Sequence, residues 1–70
     1  MKYLIVIERT STGYSAYSPD LTGCIATAGT EDKVKREIKD AIVFPLDGLK
    51  EEGLAIPKPH SSSSYVDIPA

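Results

Sequence analysis

The stretch KYLIVIE at residues 2–8 constrains the fold more than any other. Its β-branched and aromatic residues read as a strand, with Tyr3, Ile5 and Ile7 on one side and Leu4 and Val6 on the other. Both sides are apolar, so the strand needs a neighbour on each edge and cover on each face. The rest of the chain must supply that cover, and it offers only one stretch with the period of an amphipathic helix.

Beyond the first strand the chain is divided into short segments by turn residues. Residues 9–13, RTSTG, have the composition of a hairpin loop ending in glycine. Residues 14–18 form a second strand, with Tyr14, Ala16 and Ser18 on one face and Ser15 and Tyr17 on the other. Ser18, Pro19, Asp20 and Leu21 suit a turn, with proline presetting φ at its second position. A third strand spans residues 24–28, where Ile25 and Thr27 oppose Cys24, Ala26 and Ala28. The second of these faces is lined by small residues and leaves room for a helix.

That helix begins after Thr30, whose hydroxyl caps the first turn, and Glu31 and Asp32 lie at the positive end of its dipole. Val34, Ile38, Ala41, Ile42, Pro45 and Leu49 follow spacings of three and four and form a stripe toward the sheet. On the outer side Glu31/Lys35, Asp32/Arg36 and Arg36/Asp40 are spaced as ion pairs. Pro45 predicts a kink or break near Phe44, since an internal proline loses a hydrogen bond and crowds the preceding turn. The helix is expected to resume through Glu52 and stop at Gly53. Pro57 and Pro59 keep the next segment extended, four serines at residues 61–64 form a tether, and residues 65–68, YVDI, read as a fourth strand.

The expected architecture is therefore α+β, with element order βββαβ: a mixed four-stranded sheet with one helix packed on one face and the last strand parallel to the first. Residues 1–70 form a single domain. One helix covers one face of such a sheet, which leaves the other face without cover. A chain of 70 residues buries little core, and a single cysteine forms no internal bridge, so self-association into a dimer or higher homo-oligomer is expected.

Charge and chemistry narrow the function. A net charge of −2 argues against phosphate-backbone binding as the main role. The lone cysteine and the absence of a long apolar run point to a cytoplasmic setting without a membrane span. A catalytic Cys24/His60 pair is disfavoured, because Cys24 falls on the face beneath the helix and His60 lies in a Pro/Ser-rich loop. Two-metal nuclease chemistry needs converging carboxylates. Glu8, Asp20, Asp40 and Asp67 are scattered, and the interior of the first strand is Leu-Ile-Val-Ile. The basic cluster Lys33, Lys35, Arg36 and Lys39 is interleaved with acids and has no aromatic platform, so it reads as a solvated helix face. The expectation is a non-enzymatic protein with no cofactor and no metal.

Several blocks taken together carry a resemblance: the first strand ending Ile-Glu, Gly13-Tyr14, AYSPDLTGC at residues 16–24, Gly29-Thr30, KDAI at residues 39–42, and EEGLAIPKP at residues 51–59. In order and spacing they are similar to the HicB family of antitoxins. That resemblance implies a partial RNase H-like fold and binding to a HicA-like toxin, a small basic mRNA-degrading ribonuclease silenced by having its active surface covered. Many relatives carry a DNA-binding region after the part matching residues 57–70, so direct DNA binding is not expected of this short form. Tyr14, Tyr17, Pro19, Asp20 and Leu21, with the acidic Asp47, Glu51 and Glu52, are the expected partner-facing residues. The alternative reading is an orphan homo-oligomeric ligand-binding or regulatory domain without a toxin.

Overall fold

The computed structural model describes residues 1–70. Three strands, β1 (Val6–Arg9), β2 (Tyr14–Tyr17) and β3 (Ile25–Ala28), precede one helix, α1 (Glu31–Glu51). The strands form an antiparallel sheet in the order β1-β2-β3. The Thr10 amide closes the first hairpin on the Gly13 carbonyl at 2.8 Å. Gly13 is required there for space, because a Cβ would be driven into the carbonyl of Ala28 on the neighbouring strand.

The register gives each face its character. Ile7, Ala16 and Ala26 form one row across the sheet, and Arg9, Tyr14 and Ala28 another. Ala16 is buried, while Ile7, Tyr14, Ala26 and Ala28 pack around the core beneath α1. From the helix come Val34, Ile38 and Ile42, all buried, with Ala41 and Leu46 alongside. Small strand residues under large helix residues let the two layers approach closely, as alternation along the strands predicts. Cys24 and Leu21 complete this core.

Both ends of α1 are built as the sequence indicates. The Thr30 side chain accepts the Lys33 amide at 3.2 Å. At the other end Gly53 adopts φ +70°, and the amides of Gly53 and Leu54 close on the carbonyls of Lys50 and Leu49. This is a Schellman stop, and it needs a residue tolerant of the left-handed region. Of the three outer ion pairs expected, Glu31/Lys35 forms, at 3.4 Å and half exposed.

Three expectations are corrected. First, α1 runs unbroken through Pro45. Pro45 is exposed, and Leu46 takes its expected place in the inward stripe. Ile42 and Leu46, gripping the core on either side, hold the turn together, and the freed carbonyl of an outward-leaning turn can reach water. Second, the fourth strand over residues 65–68 does not form, so the sheet is three-stranded and wholly antiparallel. Pro69 has no amide to donate, and a four-residue strand on a serine tether offers few hydrogen bonds against its ordering cost. The mixed sheet and the RNase H-like outline both depend on that strand. Third, the ladder of β1 begins at Val6 rather than Lys2, because β2 ends at Tyr17, the partner of Val6.

Candidate functional site

The side of the sheet away from α1 is the face the sequence leaves without cover, and the register places specific residues on it. Val6 pairs with Tyr17, and Tyr17 pairs with Ile25. These three side chains form an apolar row across all three strands. The neighbouring row, Glu8, Ser15 and Thr27, is polar. Tyr17 is 41% exposed and Ile25 65% exposed. Tyr17 and Ile25 thus leave apolar area exposed beside a polar row on the side of the sheet away from α1.

The turn after β2 is fixed by a contact from a remote part of the chain. Asp20 has no solvent-accessible side-chain surface. One of its oxygens accepts the amides of His60 and Ser61 at 3.0 and 3.1 Å. The other accepts the Ser61 hydroxyl at 2.6 Å and meets His60 Nε2 at 3.1 Å. These donors favour the carboxylate. The Ser61 hydroxyl is the largest influence holding Asp20 below its ordinary value of 3.8, partial desolvation opposes it, and the two backbone amides and the His60 charge act in the same direction as Ser61. Asp20 thus clasps residues 60–61 to the β2–β3 turn. The Tyr3 hydroxyl, donating to the Pro57 carbonyl, ties down the same segment further upstream.

The eight expected partner-facing residues separate into three groups. Tyr17 and Pro19 are exposed at the end of β2, beside the apolar row. Asp47, Glu51 and Glu52 are exposed in the last turns of α1. Tyr14, Asp20 and Leu21 turn inward: Tyr14 packs on the core under the helix, Leu21 is buried, and the Asp20 carboxylate is consumed by the clasp. Asp20 and Leu21 hold the turn that carries Pro19, whereas Tyr14 lies at the other end of β2, paired with Arg9 and Ala28. Val6 and Ile25 belong to the row and were not among the expected residues. The alternation placed Ile25 opposite the small-residue face and left the side of Val6 open, and only the cross-strand register sets both beside Tyr17. Cys24 is buried beneath α1, and His60 is engaged by Asp20 and by the Lys58 carbonyl.

Fold and site together define a small α+β module that presents an apolar row on the uncovered face of a three-stranded sheet. Residues 3–70 match the family described as HicB_like antitoxin of bacterial toxin-antitoxin system, and the chain belongs to that family. Among its relatives are an uncharacterized 14.9 kDa protein of Haemophilus phage HP1 (strain HP1c1) and a UPF0150 protein of Helicobacter pylori (strain J99). The first is 32% identical over 69 residues, covering 99% of this chain and 52% of the phage protein. The second is 34% identical over 64 residues, 90% of this chain and 89% of the relative. The chain thus spans about half the length of the phage relative and most of the Helicobacter one. The fold is also similar to a chain of the HicA3 and HicB3 toxin-antitoxin complex, with a TM-score of 0.66 and 28% identity over 86% of this chain and 70% of that one. No helix here is long and apolar enough to cross a membrane.

Proposed function

We propose that this chain neutralises a HicA-like ribonuclease in the cytoplasm by seating its open sheet face on the toxin and covering the surface that engages RNA. The observation that carries the reading is the row of half-buried Val6 with exposed Tyr17 and Ile25, on a fold similar to a chain of a toxin-antitoxin complex. A surface that binds RNA is cationic. The apolar row would supply the contact energy, and the acidic residues Glu8, Asp47, Glu51 and Glu52, exposed around the molecule, would draw a cationic partner in and disfavour wrong ones. Neutralisation by coverage asks for no chemistry from this chain. The rigid requirement is instead the shape of the β2–β3 turn, which the Asp20 clasp maintains.

The test is co-expression with any small basic protein found to be encoded beside it. The proposal expects that growth arrest caused by that protein is relieved by the wild-type chain and that the two co-purify. Relief lost in an Ile25→Asp chain that still folds supports the open face as the contact. A neighbour that neither arrests growth nor co-purifies would leave the orphan reading in place of this one.

A further inference from the structure

A groove lies between the C-terminal half of α1 and the segment before β1, apart from both the open sheet face and the Asp20 clasp. Its origin is the path of the helix. α1 packs chiefly against β2 and β3, so the unladdered residues that lead into β1 receive only partial cover. The opening that results has a volume of about 430 Å³. Tyr3, Ile5, Ile38, Ile42, Leu46 and Ile56 line it, and its only charged residues are Lys35, Lys39 and Lys50. No carboxylate stands among them, on a chain whose net charge is −2.

Each property of the groove restricts what it can hold. Concave sites of roughly 300–1,000 Å³ with apolar walls and a few placed polar groups are the ordinary form of small-molecule sites. Tyr3 carries the one hydroxyl of the lining, and that hydroxyl donates to the Pro57 carbonyl. No uncharged side-chain donor is left free for a sugar, an amide or a base. The other polar groups are ammonium ions, whose stems extend the apolar wall while their heads stay in water. Glu31 engages Lys35 at 3.4 Å, whereas Lys39 and Lys50 form no ion pair with their own chain. Dimensions select among anions. From Lys35 to Lys50 the rim follows about 22 Å of helix, so 430 Å³ spread along it leaves a mean cross-section of about 20 Å². A polypeptide helix, about 10–12 Å across, is too wide. An extended strand, which needs about 4.8 by 10 Å, is too wide as well. One unbranched hydrocarbon chain fits.

We infer that the groove binds a free fatty acid, its carboxylate at Lys39 beside Lys35 and its alkyl chain running along Ile42 and Leu46 toward Ile56. Lys35 and Lys39 are one helical turn apart, close enough for two ammonium groups to face one carboxylate. The alkyl chain covers the partly exposed Tyr3, Ile5, Leu46 and Ile56, and each methylene buried there strengthens binding by up to about fourfold. The ligand lies on the helix side of the sheet, opposite the Val6, Tyr17 and Ile25 row, so the inference does not depend on the proposed function.

The test is titration of the full chain with dodecanoate, below its micelle threshold, followed by methyl NMR. The methyl shifts of Ile5, Ile38, Ile42, Leu46 and Ile56 move and saturate, while those of Val6 and Ile25 stay in place. Affinity rises from octanoate to dodecanoate, and dodecyltrimethylammonium, with the same chain and the opposite charge, binds at least about tenfold more weakly. Lys39→Glu, a change at an exposed position that leaves the circular dichroism unaltered, weakens dodecanoate binding by about tenfold as an exposed attraction becomes a repulsion. Equal binding of the two charges overturns the inference, as does affinity indifferent to chain length or to Lys39→Glu, or shifts centred on Val6 and Ile25. Flotation with phosphatidylglycerol vesicles without saturable dodecanoate binding also overturns it, and would make the lysine rim a membrane contact. None of these readouts involves the toxin, so their failure leaves the proposed function standing.

Discussion

Replacing Pro45 with alanine tests why the helix does not break. The unbroken path from Glu31 to Glu51 means that residue 45 sits four residues after Ala41 in regular helix, where an amide would close on the Ala41 carbonyl and the pyrrolidine ring crowds it. An interior proline costs about 3 kcal/mol relative to alanine. Part of this is returned, because proline also restricts the unfolded chain, by about 0.4–1 kcal/mol. Pro45 is exposed, so little packing is lost with its ring. The net expectation is a gain of about 2 kcal/mol, which at 4–8 °C per kcal/mol for a domain this small raises Tm by roughly 8–16 °C. Thermal unfolding followed by circular dichroism at 222 nm, a conventional helix wavelength, reads it directly. A Tm that is unchanged or lower would mean that the turn around Pro45 is not held as regular helix by Ile42 and Leu46, and the explanation for its continuity would fail.

Other consequences are more local. Gly13→Ala forces a Cβ against the Ala28 carbonyl and is expected to destabilise by about 1–3 kcal/mol, as overpacking does, seen as a lower urea midpoint with an unchanged slope. Asp20→Asn removes the acceptor charge of the clasp. Because the folded value of Asp20 lies below its ordinary 3.8, the stability it contributes is present above that pH and is lost as pH falls through the folded value. Wild type and Asp20→Asn should therefore differ at neutral pH and converge in strong acid, and a difference independent of pH would refute the clasp. Cys24, buried under α1, should react with a thiol reagent only as fast as the chain opens, so its rate should rise with urea rather than follow thiol exposure in the native state.

The elements legible in the sequence are those fixed by local rules. Alternation assigned Cys24, Ala26 and Ala28 to the face under the helix, and the Thr30 cap and Gly53 stop set the ends of α1 to within a residue or two. What was not legible depends on partners distant along the chain. No spacing rule connects Asp20 to residues 60–61, forty positions away, so a turn aspartate that reads as solvent-facing becomes the acceptor of four contacts. Ile25 read as a far-face residue and the side of Val6 was open, and their union with Tyr17 is a property of register, which hairpin loop lengths determine and composition does not. The fourth strand and the helix break were both errors of weighing local propensity alone. Tyr65, Val66 and Ile68 have strand-forming side chains without a ladder, and Pro45 has a helix-breaking ring inside a turn that its neighbours hold.

The central claim is that the Val6, Tyr17 and Ile25 row is the surface that silences the toxin. Its most direct test is the affinity of the purified toxin for wild-type chain and for the Tyr17→Asp and Ile25→Asp chains, measured by calorimetry alongside circular dichroism of each variant. Ile25 is mostly solvent-exposed, so its replacement should leave folding nearly unchanged, while placing a carboxylate in the centre of a desolvated contact should cost at least about 2 kcal/mol, a loss of roughly 30-fold or more. Folded variants that bind the toxin as tightly as wild type would contradict the account.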